Sequence, residues 1–259
     1  IAPDFMLFDY YIGLDTVPGS DRTVKLPYLR HHLQEVHGGK EGLDAHALLA
    51  SKTGFCNFIY ANRKSHPNRD AMFHKLSAFR FVNSLGPHLN NTPGDGHRAE
   101  DWYASSIRMK KPYKFSIAFE NAWYPGYTSE KIVTSMLAGT IPIYWGNPDI
   151  SREFNSASFI NCHDFPTLDD AAAYVKKVDE DDNLWCEIMS RPWKTPEQEA
   201  RFLEETERET AKLYKIFDQS PEEARRKGDG TWVSYYQRFL KRGHRMQLAW
   251  RRLKNRLRR

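Results

Sequence analysis

The chain has no apolar run near the 18 or so residues that a membrane-crossing helix needs, so no segment reads as a span. It has only three cysteines, Cys56, Cys162 and Cys186, with no CxxC pair and no metal-like spacing. An odd and small number excludes a disulfide framework and predicts buried thiols in a reducing compartment. Internal repeats are absent. Ile1 to Asp15 lacks both the basic stretch and the small-residue cleavage site of a secretory signal, and Ile1 in place of Met predicts a start inside a longer reading frame. Acids are missing from residues 230–259, which carry ten Lys or Arg, whereas residues 1–229 hold 28 bases against 33 acids. The net charge of +5 therefore hides a mildly acidic body and a basic tail. What is present, 40% hydrophobic and 14% aromatic residues in a 259-residue chain, suffices for a sizeable core.

Hydrophobic patterning predicts alternating strands and helices. Phe5 to Leu14 reads as a strand, and Leu26 to Val36 and Leu43 to Lys52 as helices broken at Gly38-Gly39. A fresh buried strand over Phe55 to Tyr60 places a domain boundary near Thr53-Gly54. Arg69 to Val82 has helical spacing, Gly86 to Gly96 is loop, and Arg98 to Met109 is a weaker helix. After the central unit come a short strand over Ser158 to Asn161 and helices over Leu168 to Val178, Asn183 to Met189 and Glu197 to Phe217. Such alternation indicates an α/β fold with a parallel sheet. The expected organisation is residues 1–53 as the end of one domain with its linker, 54–229 as a Rossmann-like domain, and 230–259 as a basic amphipathic tail helix interrupted near Gly243.

Lys114 to Gly146 is the most informative stretch. Lys114 to Phe119 and Ile141 to Trp145 read as buried strands. Between them lies a helix with apolar Ile132, Val133, Met136 and Leu137, capped by Thr128 or Ser129 and ended by Gly139. This is a βαβ unit with polar residues at its first strand-to-helix turn, where parallel sheets bind ligands. The helix start favours a phosphate, and Lys131 adds a full cation. Glu130 would repel phosphate and suits sugar hydroxyls instead. The turn reads as a sugar-nucleotide site.

Phe119 to Lys131 (FENAWYPGYTSEK) followed by Ala138 to Gly146 (AGTIPIYWG) resembles the signature of the α-1,3/4-fucosyltransferase family. Phe55 to Asn62 with Arg69, and Ser158 to Phe165, resemble flanking blocks of its bacterial branch. The resemblance covers roughly residues 3–190. It implies a GT-B fold, of which this chain would hold the donor-binding domain and a remnant of the N-terminal acceptor domain. The implied reaction moves L-fucose from GDP-fucose, with inversion and in α-1,3 linkage, to an N-acetyllactosamine-like oligosaccharide acceptor. Carried over residue by residue, Lys131 and Arg69 would contact the diphosphate, Glu130 the ribose hydroxyls, and Asn121 and Tyr127 the phosphate or fucose region, with Asn62 a further candidate. Two departures are mild: Ala122 stands where many members have Ser, and Thr128-Ser129 replaces a β-branched residue followed by Thr.

Other readings stand beside these. Lys131 could be a solvated first-turn lysine, Arg69 an ordinary helix-start residue and Tyr127 a packing residue. Glu120 reads as a loop-supporting hydrogen-bond acceptor rather than a catalytic acid. Asp179-Glu180-Asp181 matches the DxD pattern by which other glycosyltransferases hold a divalent ion, but follows a helix and reads as a solvated acidic turn. His31, His32 and His37 lack partners for a metal site, so no metal or other cofactor is expected. Trp123 and Tyr124 suit either sugar stacking or packing. The basic tail reads as an anchor to an anionic membrane surface, ahead of a solvated helix or a nucleic-acid contact, which would make the protein cytoplasmic and peripheral on the inner membrane. Rival functions are a non-catalytic sugar-nucleotide-binding module and a GT-B transferase using another nucleotide sugar.

The resemblance also sets an expectation about turnover. An inverting transfer needs a general base, which the family supplies from a Gly-Glu-Asn segment that would immediately precede a block resembling Ile1 to Gly13. The 259-residue chain alone is therefore expected to bind GDP weakly and to release little GDP from GDP-fucose in the presence of acceptor. Normal turnover in that assay would contradict this.

Overall fold

Strands buried on both faces need apolar side chains at every position rather than at every second one. Two segments here come close to that demand, with Ser116 the one polar residue in their buried stretches, and the sheet is built on them. The computed structural model describes residues 5, 7–14, 19–26, 36, 40, 42–93, 101–227, 235–236, 238–246 and 250. The chain divides into two compact units, Leu26–Glu207, and Ile1–Lys25 with Arg208–Arg259.

In chain order, β1 (Tyr11–Gly13) pairs in parallel with β2 (Thr23–Lys25) in the smaller unit. Among the described residues of the expected Phe5 to Leu14 strand, Tyr11–Gly13 pair as a strand. Arg22 explains part of the difference, because its guanidinium ties the carbonyls of Phe5, Phe8 and Asp9 into turns. In the same unit Glu209, 1% exposed, accepts the Lys25 N–H at 3.0 Å and pairs with Arg208 and Lys212.

The larger unit contains α1 (Ala45–Ala50), β3 (Gly54–Phe58), α2 (Asn68–Phe79), β4 (Val82–Ser84), α3 (Trp102–Lys110), β5 (Tyr113–Phe119), α4 (Glu130–Leu137), β6 (Ile141–Trp145), β7 (Ile160–Asn161), α5 (Leu168–Glu180) and α6 (Asp182–Ser190). α7 (Pro196–Phe217) contributes to both units and α8 (Pro221–Ala224) follows it. The five-stranded sheet is parallel throughout, in the order β4-β3-β5-β6-β7. Every residue of β6 is buried, as are the last five of β5. Pro142 lacks the N–H a central strand normally donates. It is tolerated because β7, on that strand's other side, begins opposite Ile143.

Strand alternation sorts the core into two layers. Phe115, Ile117 and Phe119 of β5 pack with Ile141, Ile143 and Trp145 of β6, Met72, Phe73 and Leu76 of α2, and Val175 and Trp185 of α5 and α6. Ala118 and Tyr144 face the opposite way, onto Ile132, Val133 and Met136 of α4 and onto Phe154. Gly139 ends α4 as expected, with φ +64° and its N–H on the Met136 carbonyl. All three cysteines are buried thiols.

The structure differs from the sequence reading in several places. α1 packs with the sheet unit, which spans Leu26–Glu207: Ala45 lies in its core and Leu48 and Leu49 pack against it. Val82 starts a strand instead of ending a helix. Asp179 is not a solvated turn residue. It is 4% exposed and paired with Arg80 at 2.8 Å and Lys114 at 3.4 Å, while Asp181 caps α6 through the Leu184 N–H. In the tail, residues 238–246 are helical straight through Gly243. Residues 27–35 of the helix expected over Leu26 to Val36 and the histidines at 31, 32 and 37 lie outside the described residues, as do 251–259.

Candidate nucleotide site

The strand order sets where a ligand can sit. From β3 the chain crosses first to β4 on one side and later to β5 on the other, so the crevice between the carboxyl ends of β3 and β5 is the topological switch point. A cavity of about 320 Å³ opens there. Its walls are the residues after β3 (Tyr60, Asn62), after β4 (Gly86, Pro87) and after β5 (Asn121), together with Tyr127 and the first turn of α4 (Glu130, Lys131). Five of the six expected site residues, Asn62, Asn121, Tyr127, Glu130 and Lys131, thus meet in one cavity.

Arg69, the sixth, does not line it. Its side chain is fully buried in the first turn of α2. The guanidinium stacks over the Tyr60 ring at 4.4 Å, donates to the Asn62 carbonyl at 2.6 Å and to Asn121 Oδ1 at 3.4 Å, and meets Asp70 at 3.3 Å. Asp70 in turn faces His88 Nε2 at 2.9 Å. In this structure Arg69 holds the two asparagines that face the cavity, rather than presenting a fork to it.

Lys131 is held by carboxylates. Glu120, at the exit of β5 and fully buried, accepts the Ser129 N–H at 2.8 Å, the Ser129 hydroxyl at 2.7 Å and the Lys131 ammonium at 3.1 Å. Glu130 lies 3.6 Å from the same ammonium. Burial alone would push Lys131 down, but the two carboxylates outweigh it and hold the ammonium above its ordinary range. Burial lifts the Glu120 carboxyl, while Lys131 and the Ser129 donors pull it back. Ser129 occupies the N-cap position of α4, but its hydroxyl serves Glu120 and makes no capping bond, contrary to the sequence expectation. Gly146 is required by this packing, since a Cβ there would lie 2.4 Å from Glu120 Cγ.

Asn147, fully buried after β6, locks the motif loop: Oδ1 accepts the Gly126 N–H at 2.9 Å and Nδ2 donates to Thr128 at 3.0 Å. Trp123 is exposed. Sequence reasoning missed Asn147, whose position in a Gly-Asn-Pro turn gives no sign of burial. It also missed the α3 wall, where Trp102, Ser105, Ser106, Met109 and Lys110 line the cavity. A helical stripe at that spacing was the available signal.

A wholly parallel sheet with a lysine-bearing cavity at its switch point defines a nucleotide-binding α/β domain. Comparison with known proteins specifies which. Residues 49–226 match the family described as glycosyltransferase family 10 (fucosyltransferase), C-terminal region. The α-(1,3)-fucosyltransferase FucT of Helicobacter pylori is 29% identical over 235 residues, covering 78% of this chain and 48% of that protein. A putative fucosyltransferase of Acanthamoeba polyphaga mimivirus is 32% identical over 190 residues, covering 71% of this chain and 31% of that protein. A crystal structure of an α1,3-fucosyltransferase with GDP-fucose superposes with a TM-score of 0.61 at 26% identity, over 81% of this chain and 72% of that one. The chain belongs to the glycosyltransferase family 10 fucosyltransferases, and its fold is the α/β fold of their GT-B structures. It spans about half or less of the length of these two curated relatives.

The Glu120 cluster generates a stability prediction. Glu120→Ala leaves Lys131 and both Ser129 donors without their buried acceptor, and should cost about 3–5 kcal/mol in urea unfolding. Glu120→Gln keeps an acceptor for Ser129 and should cost less. Equal and small losses would show that the cluster is not holding the turn.

Proposed function

We propose that the sheet unit binds GDP-fucose in the cavity at the β3–β5 switch point, and that the protein transfers fucose from it to an acceptor sugar. The convergence of Asn62, Asn121, Tyr127, Glu130 and Lys131 on one cavity carries this reading. The family match and the likeness to an α1,3-fucosyltransferase crystallised with GDP-fucose support the donor's identity. As the fucosyl bond breaks, negative charge grows on the leaving diphosphate. Lys131, already fixed by Glu120, can meet that charge without reorganising, which favours the transition state over the ground state. Glu130 serves the ribose hydroxyls, Asn62, Asn121 and Tyr127 orient the phosphates or the fucose, and Arg69 acts through the asparagines it holds.

The proposal extends to inversion, an α-1,3 linkage and an N-acetyllactosamine-like acceptor, with the general base drawn from the acceptor domain. The acceptor is where the relatives divide, since a Xenopus laevis protein named GDP-fucose protein O-fucosyltransferase 3 is 37% identical over 131 residues. We also propose peripheral attachment to the cytoplasmic face of an inner membrane through residues 230–259. Exposed Tyr235, Phe239, Leu240, Met246 and Trp250 alongside Arg238, Lys241, Arg242 and Arg245 support that attachment.

Calorimetric titration should find binding of GDP-fucose and GDP, weaker binding of GDP-mannose and none of UDP-sugars. Lys131→Ala should weaken GDP-fucose binding by about tenfold or more, as expected for a charge-assisted contact worth about 1.5–3 kcal/mol. Preference for a UDP-sugar would overturn the fucose assignment. In a separate test, the chain should float with anionic liposomes and lose flotation when residues 230–259 are removed. Equal flotation would end the anchor proposal.

A further inference from the structure

The charged groups at the donor cavity do not, by themselves, favour a diphosphate. Lys131 is opposed by both Glu120 and Glu130, 3.1 and 3.6 Å away, so these three groups sum to one negative charge. Arg69 is one layer back and is offset by Asp70. Beyond the partial positive charge at the start of α4, a further cation would strengthen the hold on a diphosphate.

Lys110 is the other cation among the residues that line the cavity. It ends α3, is 5% exposed, and lines the same cavity as Lys131. Its Nζ lies 2.6 Å from Thr134 Oγ1, 3.1 Å from Ser135 Oγ and 3.4 Å from the Lys131 carbonyl oxygen. The Thr134 hydroxyl can donate to the Glu130 carbonyl at 2.9 Å, and that of Ser135 to the Lys131 carbonyl at 2.7 Å. With those protons committed, Nζ faces three acceptors, and only an ammonium has three N–H groups to offer them. Burial works against that charge and brings Lys110 down to about 7, where it is poised between its two forms. Glu130 and Glu120 favour the proton on Lys110, and Lys131 opposes it.

We propose that Lys110 is a proton-linked third cation of the donor site, taking up a proton from solvent when a nucleotide diphosphate enters the cavity. The inference rests on the donor site proposed above. Its sign follows from linkage: the bound anion favours the charged amine, so the complex holds more protons than the empty site and affinity falls as pH rises. Protonation also turns the summed charge of Lys110, Lys131, Glu120 and Glu130 from −1 to zero before the donor's own charge is met. Lys110 is a positioning and charge-supplying residue for the donor and has no part in attack by the acceptor.

The test is calorimetric titration of the full chain with GDP-fucose, a diphosphate diester that does not itself titrate near neutral pH. Titrations at about pH 8 in buffers of different ionisation enthalpy should report uptake of between about half and one proton per donor bound. Affinity should fall between about pH 7 and 9 with a limiting slope of about tenfold per pH unit. Lys110→Met, which keeps the aliphatic stem, should abolish the uptake and flatten the profile. Lys110→Arg, always charged, should do the same, and serves if the methionine variant fails to fold. Uptake unchanged in a folded Lys110 variant would overturn the proposal, because a lysine with a purely structural role would change the melting temperature but not the linked proton. Wild-type binding without uptake would also overturn it, leaving the donor site in place. A wild-type chain that binds no GDP-fucose at any pH would sink the donor site and this inference together.

Discussion

One buried carboxylate organises the site. Glu120 leaves the sheet at the end of β5, extends the ladder through its own N–H to the Trp145 carbonyl at 2.8 Å, and turns its side chain onto Ser129 and Lys131. A carboxylate with no solvent exposure is costly unless its lone pairs are filled, and here one backbone N–H, one hydroxyl and one ammonium fill them. The start of α4 is thereby pinned to the ends of two strands. Gly146 has no side chain because Glu120 occupies that space. This contact, together with the Asn147 bonds to Gly126 and Thr128, ties the cation at the cavity to the sheet.

That arrangement has an electrostatic consequence. A lysine tied between two carboxylates is held in place and favoured in its charged form, which would suit the leaving group of the proposed transfer. The same carboxylates offset its charge, which is why the proposed diphosphate site draws on a further cation. Arg69 has been drawn into a buried network with Asn62, Asn121, Asp70 and His88 and shapes the opposite wall. The α3 wall contributes the other buried amine. Rigidity and charge are supplied by different residues on different elements, which explains why no single segment reads as the complete site.

The legible parts of the sequence were those whose physics is local. β5 and β6 are buried over most of their length and read as apolar-rich runs, and α4 lies between them with its apolar stripe and terminal glycine. The turn before α4 was legible as a cation at a helix start, and the family resemblance assembled the asparagines and Tyr127 around it. Three-residue strands such as β2 and β4 are too short for alternation to register. The burial of Arg69 beside the cavity was not legible, because burial of an arginine depends on partners 7 and 52 residues away. The side chain of Ser129 had two possible uses, capping and Glu120, and only packing decides between them. α3 was legible as a helix but not as a wall of the cavity, because the stripe it lines the cavity with mixes Trp, Ser, Met and Lys and so does not stand out as hydrophobic.

A crystal structure of the chain with GDP bound tests the central claim most directly. The account predicts the diphosphate at the β3–β5 switch point, within hydrogen-bonding distance of Lys131, with the Glu120 contacts to Ser129 and Lys131 intact. A diphosphate bound elsewhere on the unit, or one whose binding releases Lys131 from Glu120, would contradict it.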